Sequence, residues 1–388
     1  MHPILAQASL ALLKSVLVDG RVLDRSVQEA FKANPRWGKR DRAFISSSVW
    51  ECVRWARSHG FLVDSTDPAA LLAAEWTLRG LDVPTWWQWQ GLSTDEIRAR
   101  IPLLESQPRP VRESIPDWLD QRGSSELGEM WDREIIGLNR RAPVFLRVNR
   151  LVSDPDRALA WLESHGVKAA KVDGWPDALV LDGLLPKPLK DDGRIELQDL
   201  GSQRIAPLLD VEPGMRVIDA CAGAGGKTLH LAALMQGRGE ILATDIHARK
   251  LEELLRRAKR AGIRNIRTEV WSEGFMKRHQ GWADRLLIDA PCSGLGTLRR
   301  QPDLKWRIDE PGLEKIRRVQ RRLLDHYPSL LSPGGKWVYA TCSLLPSENR
   351  GQLDALIERG GSWKIEAEFT TSPHADNSDG FYAARLVG

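Results

Sequence analysis

The 388-residue chain contains no Cys-x-x-Cys pair; its four cysteines, Cys52, Cys221, Cys292 and Cys342, lie far apart. Such spacing suggests neither a disulfide framework nor a zinc knuckle and fits a reducing cytoplasm. A long apolar run is also missing. The nearest approach, Ile4 to Val18, is interrupted by Lys14 and is not followed by a small-residue cleavage site. Ile4, Ala8, Leu12 and Val16 recur there at helical spacing, so an amphipathic helix is expected, and neither a signal peptide nor a membrane span. Internal repeats and low-complexity segments are absent too. Charge is only mildly biased, at net +4 and pI ≈ 8.9, which permits a nucleic-acid partner without requiring one.

What is present suits two or three packed domains, since 42% of the residues are apolar. Residues 1–106 read as helical. In Lys39 to Trp55 the residues Phe44, Val49, Cys52 and Val53 fall on one side, which makes Cys52 a small core residue. Trp86, Trp87 and Trp89 are expected in the core or at a seam rather than stacked on bases. Gln107 to Pro116 is proline-rich and polar and reads as a linker. It opens a small α+β module over 107–204, with strands at 144–149, 178–181 and 194–197 and a helix at 154–165. From 205 to 388 strand, glycine turn and helix repeat, with strands at 216–220, 240–245, 284–289 and 335–341. That alternation predicts a mostly parallel, doubly wound Rossmann-like α/β sheet.

The first of these strands ends at Ala220 and runs into Cys221-Ala222-Gly223-Ala224-Gly225-Gly226-Lys227-Thr228, the start of a helix. Glycines allow close approach to a ligand and free helix amides favour negative charge, so a nucleotide-like cofactor is expected. Three readings compete. A P-loop would need glycine where Cys221 stands. A dinucleotide fingerprint would need glycine where Thr228 stands. S-adenosylmethionine would need an acid for its ribose at the end of the second strand, where Asp245 stands 22 residues after Gly223; the plain alternative is that Asp245 caps the next helix. Cys221, with no acid or histidine near it in sequence, is read as structural by default.

Cys292 and Cys342 each follow a strand of the same sheet, a pairing that points to catalysis more than to a redox dithiol. The motifs Asp289-Ala-Pro-Cys292 and Thr341-Cys342-Ser-Leu-Leu-Pro-Ser-Glu-Asn349 resemble the RNA cytosine-C5 methyltransferases of the RsmB/Nop/Sun family. Arg147-Val-Asn149, Glu196 to Gln203, Arg299 to Arg307 and Asp379 to Tyr382 extend the resemblance, and Arg40 to Phe44 is similar to a NusB-like front domain. The resemblance implies S-adenosylmethionine as cofactor, an all-α NusB-like domain and an RNA-binding α+β module. It makes Cys342 the nucleophile that adds to cytosine C6, and Cys292 the aid to product release. It also implies that Lys227 lies near the methionine end of the cofactor and that an acid faces the adenine, for which Glu273 is the candidate. Asp289, at a desolvated strand end, is the candidate acid near N3, with its pKa expected to be raised.

Arg299, Arg300, Lys305, Trp306 and Arg307 follow the first thiol turn directly and read as phosphate and base contacts. The runs Arg256 to Arg267 and Arg317 to Arg322 read as exposed helix faces. An unpaired or loop cytosine of 16S rRNA is the expected target, met by a monomer in the cytoplasm. The rivals are a tRNA substrate, a non-catalytic RNA-binding assembly factor and, third, an NTPase.

Overall fold

A computed structural model of the chain describes residues 1–360 and 362–388, folded as two compact units. One comprises Met1–Arg140 together with Thr297–Gly312. It is helical, and its core gathers Leu13, Ile45, Val49, Cys52, Leu72 and Trp76. Trp87 is buried with its indole N–H on the Ala69 carbonyl, whereas Trp86 stays exposed. The predicted linker is not a tether. Arg109–Arg112 is helical, and the Ser58 hydroxyl donates to the carbonyls of Val111 and Arg112 at 2.7 and 3.2 Å. Backbone satisfied in this way is packed chain, and the expected boundary at residue 107 falls inside this unit.

The other unit holds two sheets. The smaller is built from β1 (Val144–Val148), β2 (Ala169–Val172), β3 (Trp175–Leu181) and β4 (Ile195–Leu197), all antiparallel in the order β2-β3-β1-β4. The larger contains β5 (Arg216–Asp219), β6 (Glu240–Asp245), β7 (Ile266–Val270), β8 (Ala283–Asp289), β9 (Leu331–Thr341), β10 (Lys364–Thr371) and β11 (Phe381–Val387). Its order is β10-β11-β9-β8-β5-β6-β7, with β7 through β9 parallel and the β10–β11 hairpin antiparallel at the edge.

Apolar runs such as Leu286, Leu287 and Ile288 in β8 are fully buried because helices cover both faces of a parallel sheet. From β5 the chain winds outward to β6 and then returns to place β8 on the other side. The crevice of such a sheet opens beyond the carboxyl ends of β5 and β8, where the strand order reverses. Among the described residues no helix is long and apolar enough to cross a membrane.

Candidate active site

The glycine turn after β5 is shaped by two left-handed residues, Gly223 (φ +56°) and Gly225 (φ +87°). A Cβ on Gly225 would sit 2.5 Å from Leu254 Cγ, so that position admits no side chain. On Gly223 or Gly226 a Cβ would meet nothing within 4 Å; the loop borders open space there. Asp245, at the end of β6, accepts the Gly223 N–H at 3.1 Å and the His247 N–H at 2.8 Å. Its carboxylate therefore braces the glycine turn and keeps lone pairs for a further donor; the helix Ala248–Arg260 has no side-chain cap. Beside Asp245, Ile246 is 68% exposed, and Trp271, whose N–H donates to the Asp245 carbonyl, is also exposed. Both leave apolar surface open to solvent near Asp245, which sequence reasoning missed; an apolar residue immediately after a strand-end acid was the available signal. Glu273 lies in the exposed loop after β7. Cys221 is half-buried, with its thiol pKa pushed up by burial.

Open space at the loop, a braced acid and adjacent apolar surface fit an adenosyl cofactor. They do not fit an NTPase, because Cys221 stands where a P-loop needs glycine and the Thr228 hydroxyl is committed elsewhere. The Thr228 hydroxyl donates to buried Asp219 at 2.7 Å, and the Lys227 ammonium meets Asp289 at 2.6 Å. Burial alone would lower the Lys227 pKa, but Asp289 outweighs it and holds the ammonium above its ordinary value. Asp289 is thus half of an ion pair at the end of β8, with the Phe381 ring centroid 5.5 Å from Lys227 Nζ.

Beyond the same strand ends the two thiols converge. Cys292 Sγ lies 3.2 Å from Cys342 Sγ, and the Cys342 N–H points at Cys292 Sγ at 3.3 Å. Since β8 and β9 are neighbours in register, Asp289 opposite Ala340, fifty residues of sequence collapse to one contact. The thiols are not equivalent. The hydrogen bond with Cys342, then burial, then the charges of Cys342 and Glu348 raise the Cys292 pKa well above the ordinary thiol value. Its buried surroundings thus favour the protonated form of Cys292. The serine after each cysteine, Ser293 and Ser343, turns inward to buried Glu348.

The basic segment departs from expectation. Arg299 and Lys305, 3% and 1% exposed, are buried in the helical unit. Lys305 Nζ donates to the Arg54 carbonyl at 2.7 Å, and the Trp306 indole donates to the Val53 carbonyl at 2.7 Å. Arg54 returns a bond to the Arg299 carbonyl, and Asp303 accepts the Leu23 N–H at the start of the helix Leu23–Ala33. These side chains pin Thr297–Gly312 into the helical core, so Arg299, Lys305 and Trp306 are corrected from RNA contacts to internal anchors. Arg300 and Arg307 stay nearer the surface. Within Arg256 to Arg267, Arg257 is also committed, binding Glu196 and the glycine-loop carbonyl of Ala224.

Comparison with known proteins accords with this geometry. The family described as 16S rRNA methyltransferase RsmB/F matches residues 206–387, and an RsmF/B-like ferredoxin-like domain matches 115–186. Ribosomal RNA small subunit methyltransferase B of Escherichia coli O6:K15:H31 is 32% identical over 300 residues, 74% of this chain and 69% of that protein. The Salmonella agona protein of the same name is 33% identical over 287 residues, covering 70% and 66%. The matched stretch thus spans about two thirds of these relatives' length. Among solved structures, PH0851 superposes with a TM-score of 0.81 at 23% identity over 98% of each chain. NSun6 from Pyrococcus horikoshii with SFG has a TM-score of 0.64 at 21% identity, covering 71% of this chain and 98% of that one.

Proposed function

The chain belongs to the RsmB/F family of 16S rRNA methyltransferases, whose fold is that of S-adenosylmethionine-dependent methyltransferases, and on that premise we propose that it forms 5-methylcytosine in 16S rRNA. The observation that carries the reading is the meeting of two unequal thiols, 3.2 Å apart, beyond the same strand ends as the Lys227–Asp289 pair. Cytosine C5 is too weak a nucleophile to be methylated unaided. A thiolate that adds to C6 moves electron density onto C5, and the charge reaching N3 and O2 needs a donor. Cys342 is the attacking sulfur in this reading; the contact with Cys342, burial and the nearby Glu348 charge all favour the thiol form of its neighbour Cys292. The Lys227 ammonium, anchored by Asp289, faces the developing charge.

The glycine loop, Asp245, Ile246 and Trp271 would hold S-adenosylmethionine, which would supply the electrophilic methyl for C5, the S–CH3 electron pair staying on the departing thioether sulfur. The C5–H electron pair then forms the C5–C6 double bond, the C6–Sγ pair returns to Cys342, and the C5 proton passes to solvent water. Cys292, the titratable group nearest the departing sulfur, assists that elimination. Arg300 and Arg307, the arginines of the basic segment nearer the surface, are assigned to RNA, with Arg307 also paired to Asp303 at 3.1 Å. The protein acts as a monomer in the cytoplasm on an unpaired cytosine, which spares the few kcal/mol of unstacking, roughly, that a paired base would demand.

Bisulfite sequencing of 16S rRNA from cells with and without the protein tests the proposal. One cytosine should lose its protection in the deletion strain and regain it when purified protein and S-adenosylmethionine are added. An unchanged map together with no methyl transfer in vitro would remove the proposal.

A further inference from the structure

Glu348 is fully buried and forms no salt bridge among the described residues. Its carboxylate accepts the Ser293 N–H at 2.8 Å and hydroxyl at 2.5 Å, the Ser343 hydroxyl at 2.5 Å and the Gln320 amide at 3.1 Å. A carboxylate withdrawn from water without a cation is costly, and four neutral donors are what offset that cost here. A core needing only to be filled would use an apolar side chain at lower cost. What distinguishes these donors is their place in the chain, since Ser293 follows Cys292 and Ser343 follows Cys342.

The two hydroxyls also approach each other at 3.3 Å, and the Tyr339 hydroxyl donates to the Glu348 carbonyl at 2.6 Å, fixing the clasp to β9. On the other flank the Gly296 N–H donates to the Cys342 carbonyl at 3.0 Å. A Cβ at Gly296 would fall 2.0 Å from the Gly380 carbonyl, so neither cysteine turn can move that way.

We propose that Glu348 is a positioning residue that clasps the two cysteine turns and sets the separation and unequal roles of Cys342 and Cys292. The assignment of those roles rests on the function proposed above; the clasp itself does not. Its negative charge beside Cys292 also favours the protonated thiol there. Without the clasp the turns drift independently. Misplacement of reacting groups by about 1 Å costs on the order of 10²-fold.

The test uses purified full chain and begins without RNA. The oxidant diamide takes up both thiol hydrogens as the Cys292–Cys342 bond forms, and peptide mapping by mass spectrometry follows that bond with time. Glu348→Gln should slow it about tenfold or more while thermal melting and S-adenosylmethionine affinity stay near wild type. With RNA, kcat should fall on the order of 10-fold to 100-fold with KM within about threefold. Should Glu348→Gln fail to fold, Ser293→Ala and Ser343→Ala each remove one tie. Ser293→Ala should accumulate the covalent RNA adduct through slow release; Ser343→Ala should form it slowly. Wild-type cross-linking rates in all three variants would overturn the proposal, as would equal effects of the two serine variants on attack and release. A wild-type protein that cross-links readily but methylates no RNA would instead overturn the proposed function and leave the clasp standing.

Discussion

Lys227 and Lys305 are both drawn out of bulk solvent, and they differ in what receives them. In the crevice, Lys227 meets a carboxylate and holds its proton more tightly than a free lysine. In the helical unit, Lys305 meets carbonyl and amide oxygens; burial first, and then the neighbouring Arg54 charge, lower its pKa well below the ordinary value. The first arrangement keeps a cation available for chemistry, whereas the second uses an ammonium as a hydrogen-bonding pin. A basic residue in sequence is therefore not yet a basic surface.

The largest expected effects lie on the crevice side. Cys342→Ala should give neither adduct nor methylated product, a drop of at least about 10³-fold, while Cys292→Ala should trap a denaturation-resistant RNA adduct. Gel mobility of labelled RNA after denaturation reads both. Methylation surviving Cys342→Ala would dissolve the functional half of the comparison. Next comes the pair of lysines itself. Lys227→Met leaves Asp289 without its cation and should cut methylation on the order of 10²-fold, whereas Lys305→Met should leave it within about twofold. Equal reductions would mean that the two burials do not differ in kind.

The fate of the basic segment marks the limit of what sequence can carry. Strands at 216–220, 240–245, 284–289 and 335–341 are observed nearly as expected, because an apolar run closed by a polar residue and a glycine turn is a local signal. The convergence of Cys292 and Cys342 follows from two such strands being neighbours, and the strand-end place of Asp245 and the core place of Cys52 were legible for similar local reasons. Arg299, Lys305 and Trp306 were misread because the burial of the first two and the indole bond of the third depend on Arg54, Val53 and Asn139, about 170 to 250 residues away. The same holds for Gln107 to Pro116, whose prolines suit a linker but whose carbonyls are taken up by Ser58 and Arg57. Asp289 was read as the candidate acid near N3, and nothing local announces that Lys227, 62 residues earlier, pairs with it.

Salt and pH sharpen the difference further, with smaller effects. Neutral replacements of Arg300 and Arg307 should flatten the salt dependence of RNA binding by about one unit of slope for each phosphate left without its cation, whereas Lys305→Met should leave the slope unchanged. Lys305 should instead appear in stability. Its folded-state pKa lies below its unfolded value, so between the two the unfolded chain binds more protons and stability rises with pH. Lys305→Met should remove that rise from melts taken at pH values below the unfolded lysine value of about 10.4. A salt slope that falls with Lys305→Met would return the residue to the RNA surface.

The smallest effect concerns the acid beneath the glycine turn. Asp219 is buried with one oxygen on Thr228 and the other without a partner, and burial raises its pKa to about 7. Its folded value lies above the unfolded one of about 3.9, so the native state holds the extra proton between them, and stability from this group falls as pH rises from about 4 through about 7. Asp219→Asn keeps an acceptor for the Thr228 hydroxyl and removes the titration. It should raise stability by about 1–2 kcal/mol near pH 8, with the gain shrinking toward pH 4. Thermal melts of both proteins across that range read the sign directly. A gain that is the same at every pH would mean that Asp219 is ionised throughout, its carboxylate accepted beside the cofactor loop.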